Sequence, residues 1–425
     1  MSFVGVDLID VEDGRVLKDR TVKIRSGFIE EIRQTQQGDL EEEGWTSIDS
    51  RGLYMCPGLI DCHAHIVAAA VDSITPWSDV QTALRIAFGL KGMLGNGFTT
   101  IRDVGGANRY YREATAEWLI PGPRLFVGGP MLSQTGGHAK MCGFKGQKGV
   151  DPDAPPSPVG TADISWGIVA LLVDGVDTCL KATRQLMARG ADHIKISTSG
   201  GIFSPTDTLE ATQFSVPEIK AICDTVRNMG GTLVTSHCYT SAGARMAIEG
   251  GVGGIEHGAL LDEPTLRLMA QKGIHLTPTL IMQEISANGP YSARLTEFSR
   301  QKARMVAEKS HGMIQTAHRV GVNIAYGTDA FTEVQLSEFD LRAKVLPSPV
   351  VLQHATCNGA KVLAMKGKLG CIKQGAFADL LLLNANPLED VTILNKPKEH
   401  LRAVIKDGRC VQSRVDGLRV EIPLE

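Results

Sequence analysis

Asp61-Cys62-His63-Ala64-His65 holds the residues of this chain best suited to chemistry. It follows an apolar run, Cys56-Pro-Gly-Leu-Ile, that reads as a strand. Side chains alternate along a strand, so His63 and His65 turn to the same side, spaced to hold one divalent metal. Similar groups end other apolar strands: Lys195 in His193-Ile-Lys-Ile-Ser, His237 in Val234-Thr-Ser-His-Cys-Tyr, His257 in Ile255-Glu-His-Gly and Asp329 in Ala325-Tyr-Gly-Thr-Asp. Each alone has an ordinary reading, as a hydrogen-bonded histidine or a helix cap. Together they put four histidines, one lysine and one aspartate at the same end of five strands, which reads as a metal site. Lys195 carries extra weight. An ammonium ending an apolar strand is costly to bury, so this side chain is expected to be neutral, ion-paired or covalently modified.

Those strand ends must be brought to one rim. The middle of the chain alternates short apolar segments, at 59–65, 99–104, 124–128, 193–198, 232–238, 254–257, 275–279 and 323–328, with helix-compatible stretches such as 81–94, 176–189, 216–229, 242–250 and 263–272. Regular β-then-α alternation implies parallel strands, and eight such units close into a (β/α)8 TIM barrel of the α/β class, with its active site at the C-terminal face. The two chain ends differ in texture. Short strands at 4–9, 21–24, 28–32 and 47–49 are matched near the other end by 379–383, 403–406 and 409–411, with Gly14, Gly27 and Asp407-Gly408 at turns. The expected organisation is a small composite β-sandwich built from residues 1–57 and 369–425 around a metal-dependent barrel over 58–368. One stretch breaks the rhythm: residues 136–166, rich in Gly, Pro, Asp and Lys, read either as a lid over the site or as a surface insertion.

Composition narrows the class. The 425 residues are 43% hydrophobic and 21% charged with net charge -3, so no basic footprint points to nucleic acid or an anionic membrane surface. No apolar run reaches spanning length, and the acidic start, MSFVGVDLIDVEDG, lacks the basic and apolar regions of a leader. Nine scattered cysteines without a C-x-x-C pair read as reduced thiols of a cytoplasmic protein.

The six residues resemble the ligand set of the amidohydrolase superfamily, binuclear type, and the resemblance covers nearly the whole chain. Gly375-Ala-Phe-Ala-Asp-Leu-Leu-Leu-Leu is similar to the returning strand of that family's composite β-domain, and Ala355-Thr-Cys-Asn-Gly-Ala to its late barrel helix. The resemblance implies that His63, His65 and Asp329 bind one divalent metal, that His237 and His257 bind a second, and that a carboxylated Lys195 bridges them. Carboxylation would solve the buried-lysine problem, because the carbamate is an anion facing two cations. Zinc is expected from the nitrogen and oxygen ligands, with manganese, cobalt or iron compatible. Two such ions would supply a water of lowered pKa and a Lewis acid for a carbonyl. Asp329 would take the water's proton and return it to a leaving amine.

Three further motifs narrow the resemblance: Ser133-Gln-Thr-Gly-Gly-His138, Ser197-Thr-Ser-Gly-Gly201 with Ser204-Pro-Thr-Asp207, and His237-Cys-Tyr239. They are similar to the branch of Xaa-Pro dipeptidases (prolidases), lysine- and arginine-releasing carboxypeptidases and the fungal amidase that hydrolyses ochratoxin. These cleave an amide whose leaving group is an amino acid with a free carboxylate. The resemblance gives His138 a hydrogen bond to the scissile carbonyl, and Tyr239 a place near either the substrate carboxylate or that carbonyl. Gly200-Gly201 are expected to let backbone amides approach the ligand. A small-molecule substrate and a homo-oligomeric assembly are implied. The alternatives are a cyclic-amide or lactone hydrolase of imidazolonepropionase type, or a deaminase, on the same barrel; both typically use one metal and lack the strand-four lysine. A non-catalytic assembly protein on the same scaffold would typically have lost metal ligands, and all six are present here.

Overall fold

The computed structural model describes residues 1–67, 79–138, 170–204, 207–330 and 334–424. Beyond His138, the 136–166 stretch expected to be a lid or an insertion lies outside the described residues.

The apolar runs of the middle form parallel strands buried on both faces, as near-continuous aliphatic sequences dictate. Leu59–Ala64, Phe98–Asp103 and Arg124–Val127 make one arc. Ala170–Leu172, Met131–Ser133, Ile194–Ser197, Val234–Thr240, Gly254–Leu260 and His275–Thr277 make a second, in that spatial order. Residues 323–326 run between the arcs. Ala325 N donates to Leu276 O at 2.9 Å on one side, and Cys62 N donates to Tyr326 O at 2.8 Å on the other. The expected strand at 323–328 is thus an extended segment with one bridge, Leu276 to Ile324. Helices return the chain between strands, giving a TIM-barrel-type α/β fold. Their starts follow local chemistry. Val216–Asn228 opens with a capping box between Ser215 and Glu218, and Asp262 caps Glu263–Lys272 by accepting from Thr265 N at 2.8 Å.

Strands from both chain ends join in one eight-stranded sheet. It runs from Arg409–Ser413 through Leu401–Lys406, Leu380–Leu383, Tyr54–Pro57, Ser2–Asp10 and Arg15–Arg25 to Phe28–Gln34, with Ser47–Asp49 beside Ser2–Asp10. Strand alternation divides its side chains between two cores. Leu380 and Leu382 join the sheet's own core with Phe3, Val6 and Ile405, whereas Leu381 and Leu383 face the barrel core.

Three short strands escape the sequence pattern, Tyr54–Pro57, Met131–Ser133 and Ala170–Leu172. The second matters for the site. The Ser133-to-His138 motif starts at the last residue of Met131–Ser133. Met131–Ser133 pairs with Ile194–Ser197, two strands from the one that carries His237.

Candidate metal centre

The strand ends converge as their spacing requires. The rings of His63 and His65 lie 5.4 Å apart, those of His63 and His257 4.8 Å, and those of His237 and His257 4.6 Å. Asp329 Oδ1 lies 3.6 Å from His63 Nε2 and 3.4 Å from His65 Nε2. Ligand atoms of His63, His257 and Asp329 fall within 4.8 Å of one another, a group able to hold a metal ion. Lys195 is 2% exposed, and its charge lowers the proton affinity of His63, His65, His138, His237 and His257 alike, so it stands among them.

Burial sets the protonation of the group. It lowers His63 and His65 to about 4 and Lys195 to about 8, raises Asp329, and holds His237 and His257 well below the usual imidazole range. Neutral imidazoles are the form that binds metal. Three of the rings are also aimed. His63 Nδ1 donates to Glu256 Oε2 at 2.7 Å, His65 Nδ1 to Gly105 O at 2.9 Å, and His257 Nδ1 hydrogen-bonds Thr279 Oγ1 at 2.8 Å. Each leaves Nε2 for the centre, the arrangement in which outer partners orient metal-binding histidines. His237 differs, with Nε2 3.3 Å from Gly200 O.

Among the outer partners, Glu256, Arg102 and Asp61 are what the sequence did not disclose. Glu256, wholly buried, accepts from His63 and from Arg102 Nη2 at 2.6 Å. Burial pushes its carboxyl up, yet the charges of Arg102, His63 and Lys195 hold it well below the usual range. Regular alternation would turn Glu256 and His257 to opposite faces, but His257 has φ 69°. That left-handed residue breaks the alternation, so both side chains reach the interior. Asp329 also has positive φ, 54°. Asp61 supports that turn, accepting from Thr328 Oγ1 at 2.7 Å, Gln335 Nε2 at 2.9 Å and His63 N at 3.0 Å. Two strained positions among the candidate ligands fit a functional site. Asp103 accepts from Ile66, Gly105 and Ala107 N–H groups and so fixes the loop whose Gly105 carbonyl aims His65. The available signals were adjacency, Glu256 beside His257 and Asp61 two before His63, and the Asp103 strand end.

His138 stacks on His237 with ring centroids 4.0 Å apart, and Tyr239 packs over His257 at 5.1 Å. Both therefore line the group. The glycines act otherwise than expected. Gly200 N donates to Ala211 O at 3.0 Å, and Gly201 N points to Asp207 Oδ1 at 3.5 Å, so neither amide is presented to a ligand. Their lack of a side chain is the reason for them: a Cβ at Gly201 would sit 2.0 Å from His138 Cε1, and one at Gly200 1.9 Å from Thr208 O. His193 is a buried packing residue, its ring against Gly128.

A TIM-barrel-type fold with a buried histidine–aspartate group at its strand ends defines the architecture of barrel hydrolases that use metal. This chain belongs to the amidohydrolase family, whose model matches residues 54–411. Ochratoxinase of Aspergillus niger is 30% identical over 419 residues, covering 94% of this chain and 84% of the relative. A solved amidohydrolase superposes with TM-score 0.90 at 36% identity, covering 98% of this chain and 99% of the other. A prolidase solved with N-methylphosphonate-L-proline superposes with TM-score 0.89 at 33% identity, covering 97% and 99%. The chain is a hydrolase acting on amide C–N bonds, in a family that is generally metal-dependent. No helix among the described residues is long and apolar enough to cross a membrane.

Proposed function

We propose that this enzyme cleaves the amide bond of dipeptides or N-acyl amino acids with a free C-terminal carboxylate. The observation that carries the reading is the stack of His138 on His237 beside Tyr239, two hydrogen-bonding side chains held over the metal-binding group. The prolidase and ochratoxinase relatives support it.

The donor set suits two divalent ions, with zinc proposed: His63, His65 and Asp329 for one, His237 and His257 for the other, and Lys195, as its carbamate, between them. The aimed Nε2 atoms and the unprotonated imidazoles support this assignment. Bound there, the ions supply a Lewis acid and a water of lowered pKa. The remaining work belongs to side chains. Asp329, within 3.6 Å of both His63 and His65, accepts the proton of the attacking water. The water oxygen bonds to the carbonyl carbon, the C–N bond breaks, and Asp329 returns the proton to the leaving nitrogen. His138 donates to the carbonyl oxygen as negative charge develops. Tyr239 meets the substrate carboxylate or the same oxygen. In this reading residues 58–368 are the barrel, closed to eight staves through 323–328, and 1–57 with 369–425 are the composite β-sandwich. A cytoplasmic homo-oligomer is the proposed form, the location resting on eight buried, unpaired cysteines among the described residues.

The test is amino-acid release by zinc-loaded protein from Xaa-Pro, Xaa-Arg, Xaa-Lys and Xaa-Phe dipeptides, N-acyl amino acids and ochratoxin A. Release from one class is the expected result and identifies the leaving group. No release from any of them, with two metals bound per chain, removes the carboxylate-bearing class and favours lactones and cyclic amides.

A further inference from the structure

Lys302 lies on the helix Glu297–Arg319, outside the barrel strands, and is 5% exposed. A buried ammonium needs all three of its donors satisfied. Nζ donates to Gly201 O at 2.6 Å, Ser204 O at 2.7 Å and Asp207 O at 2.9 Å, with Asp207 Oδ1 at 3.5 Å. All three carbonyls belong to the segment that follows Ile194–Ser197. Three carbonyls turned toward one point charge hold Gly201, Ser204 and Asp207 in place.

Two routes lead from this clamp to His138. The first is packing: the bare Cα of Gly201 faces the His138 ring, where even a methyl group would overlap it. The second is a hydrogen-bond chain. Asp207 Oδ2 accepts from Gln213 Nε2 at 3.2 Å, and Gln213 Oε1 accepts from His138 N at 2.9 Å. One route holds the ring and the other holds the backbone of the same residue. We infer that Lys302 is a positioning residue, which keeps the His138 ring on His237 where it can meet the reacting carbonyl. The inference rests on the role proposed above for His138.

A lysine that only stabilised the fold would impair the enzyme equally with or without His138. The experiment is therefore a cycle of Lys302→Met, His138→Ala and the double variant, with kcat and KM read on the substrate released in the panel and metal content measured for each. Lys302→Met is expected to lower kcat by about tenfold or more, with KM changed less than about threefold. In the His138→Ala background the same substitution is expected to change kcat by less than about twofold. Equal losses in both backgrounds overturn the inference, as does a Lys302→Met enzyme within about twofold of wild type. Should Lys302→Met not fold, Gln213→Leu cuts the hydrogen-bond route and leaves the lysine in place; the same background-dependent loss is expected, and an additive loss overturns the inference. Calorimetric binding of the methylphosphonyl derivative of the released amino acid gives a readout without turnover. Either single variant should weaken it and the double variant no further, whereas additive weakening overturns the inference. A His138→Ala enzyme with wild-type kcat and analogue affinity overturns the role of His138 and this inference together. An impaired His138→Ala enzyme with additive Lys302→Met overturns this inference alone.

Discussion

Glu256 sits where no water reaches, and its negative charge lets His63 keep the Nδ1 proton while Nε2 faces Asp329. Replacing that carboxylate by an amide of the same shape removes the charge and leaves the Arg102 guanidinium buried beside it. With His63 the metal ligand proposed above, Glu256→Gln should weaken metal binding by about 10–100-fold, the usual consequence of losing a partner behind a ligating histidine. Competition with a chromophoric chelator measures this, and an affinity within about twofold of wild type would show that His63 is aimed by packing alone. Lys195 makes the complementary case. Burial lowers its amine to about 8, so a neutral, nucleophilic fraction is present near neutral pH and can take up carbon dioxide. Lys195→Ala should cost about a hundredfold or more in kcat. Added short-chain carboxylates should restore part of it if, as proposed, Lys195 acts as a carbamate, because they could take the carbamate's place. Full activity in Lys195→Ala without any additive would remove the bridge from the mechanism.

Elements of the terminal sheet are tied by charge as well as by leucines. Asp39, in the 3-10 turn Asp39–Glu41, takes both guanidinium arms of Arg33 at 2.7 Å, Thr21 Oγ1 at 2.6 Å and Gln36 N at 2.9 Å. The Arg33 fork holds its carboxyl well below the usual carboxylate range. The folded chain therefore binds fewer protons here than the unfolded one. This stabilisation is complete above the unfolded carboxylate pKa near ~4 and fades as pH falls below it. Asp39→Asn should destabilise the protein by about 1–2 kcal/mol at neutral pH. The difference should shrink on acidification below pH ~4 in paired denaturant titrations; a gap independent of pH would assign the effect to packing. The elements readable in advance were those with a period. Barrel strand ends stood out because a polar group closing an apolar run violates its pattern, and the helix at 216–229 because its apolar residues recur with helical period. Met131–Ser133 was not readable, since three residues between Gly-Pro and a polar turn show no alternation. Lys302 left a trace: it falls on the buried stripe of its helix with Ser299, Val306 and Met313, where a lysine needs a partner that no local pattern names.

At the scale of the whole molecule, the four leucines Leu380–Leu383 decide how the two ends and the middle relate. A run buried on both faces cannot belong to a free-standing sheet with one wet side. Ile9, Cys56, Leu401, Val404 and Val411 join the barrel core from other strands of the same sheet, so sheet and barrel share a hydrophobic boundary. Arg124 adds a polar latch to it. From the first residue of a barrel strand its guanidinium reaches Asp379 at 3.3 Å and Asp407, and lies 4.0 Å over the ring of Phe377. Asp379 is 4% exposed and burial pushes its carboxyl up, so its charged form depends on this partner. Arg124→Ala strands that carboxyl and should cost on the order of 3 kcal/mol. Summed over 425 residues, the entropy of unfolding makes each kcal/mol worth about 1 °C, so Tm should fall by about 3 °C. Because the apolar boundary remains, calorimetry of Arg124→Ala should still show one transition. Two separated transitions would mean that the latch, and not the leucine boundary, couples the terminal sheet to the barrel.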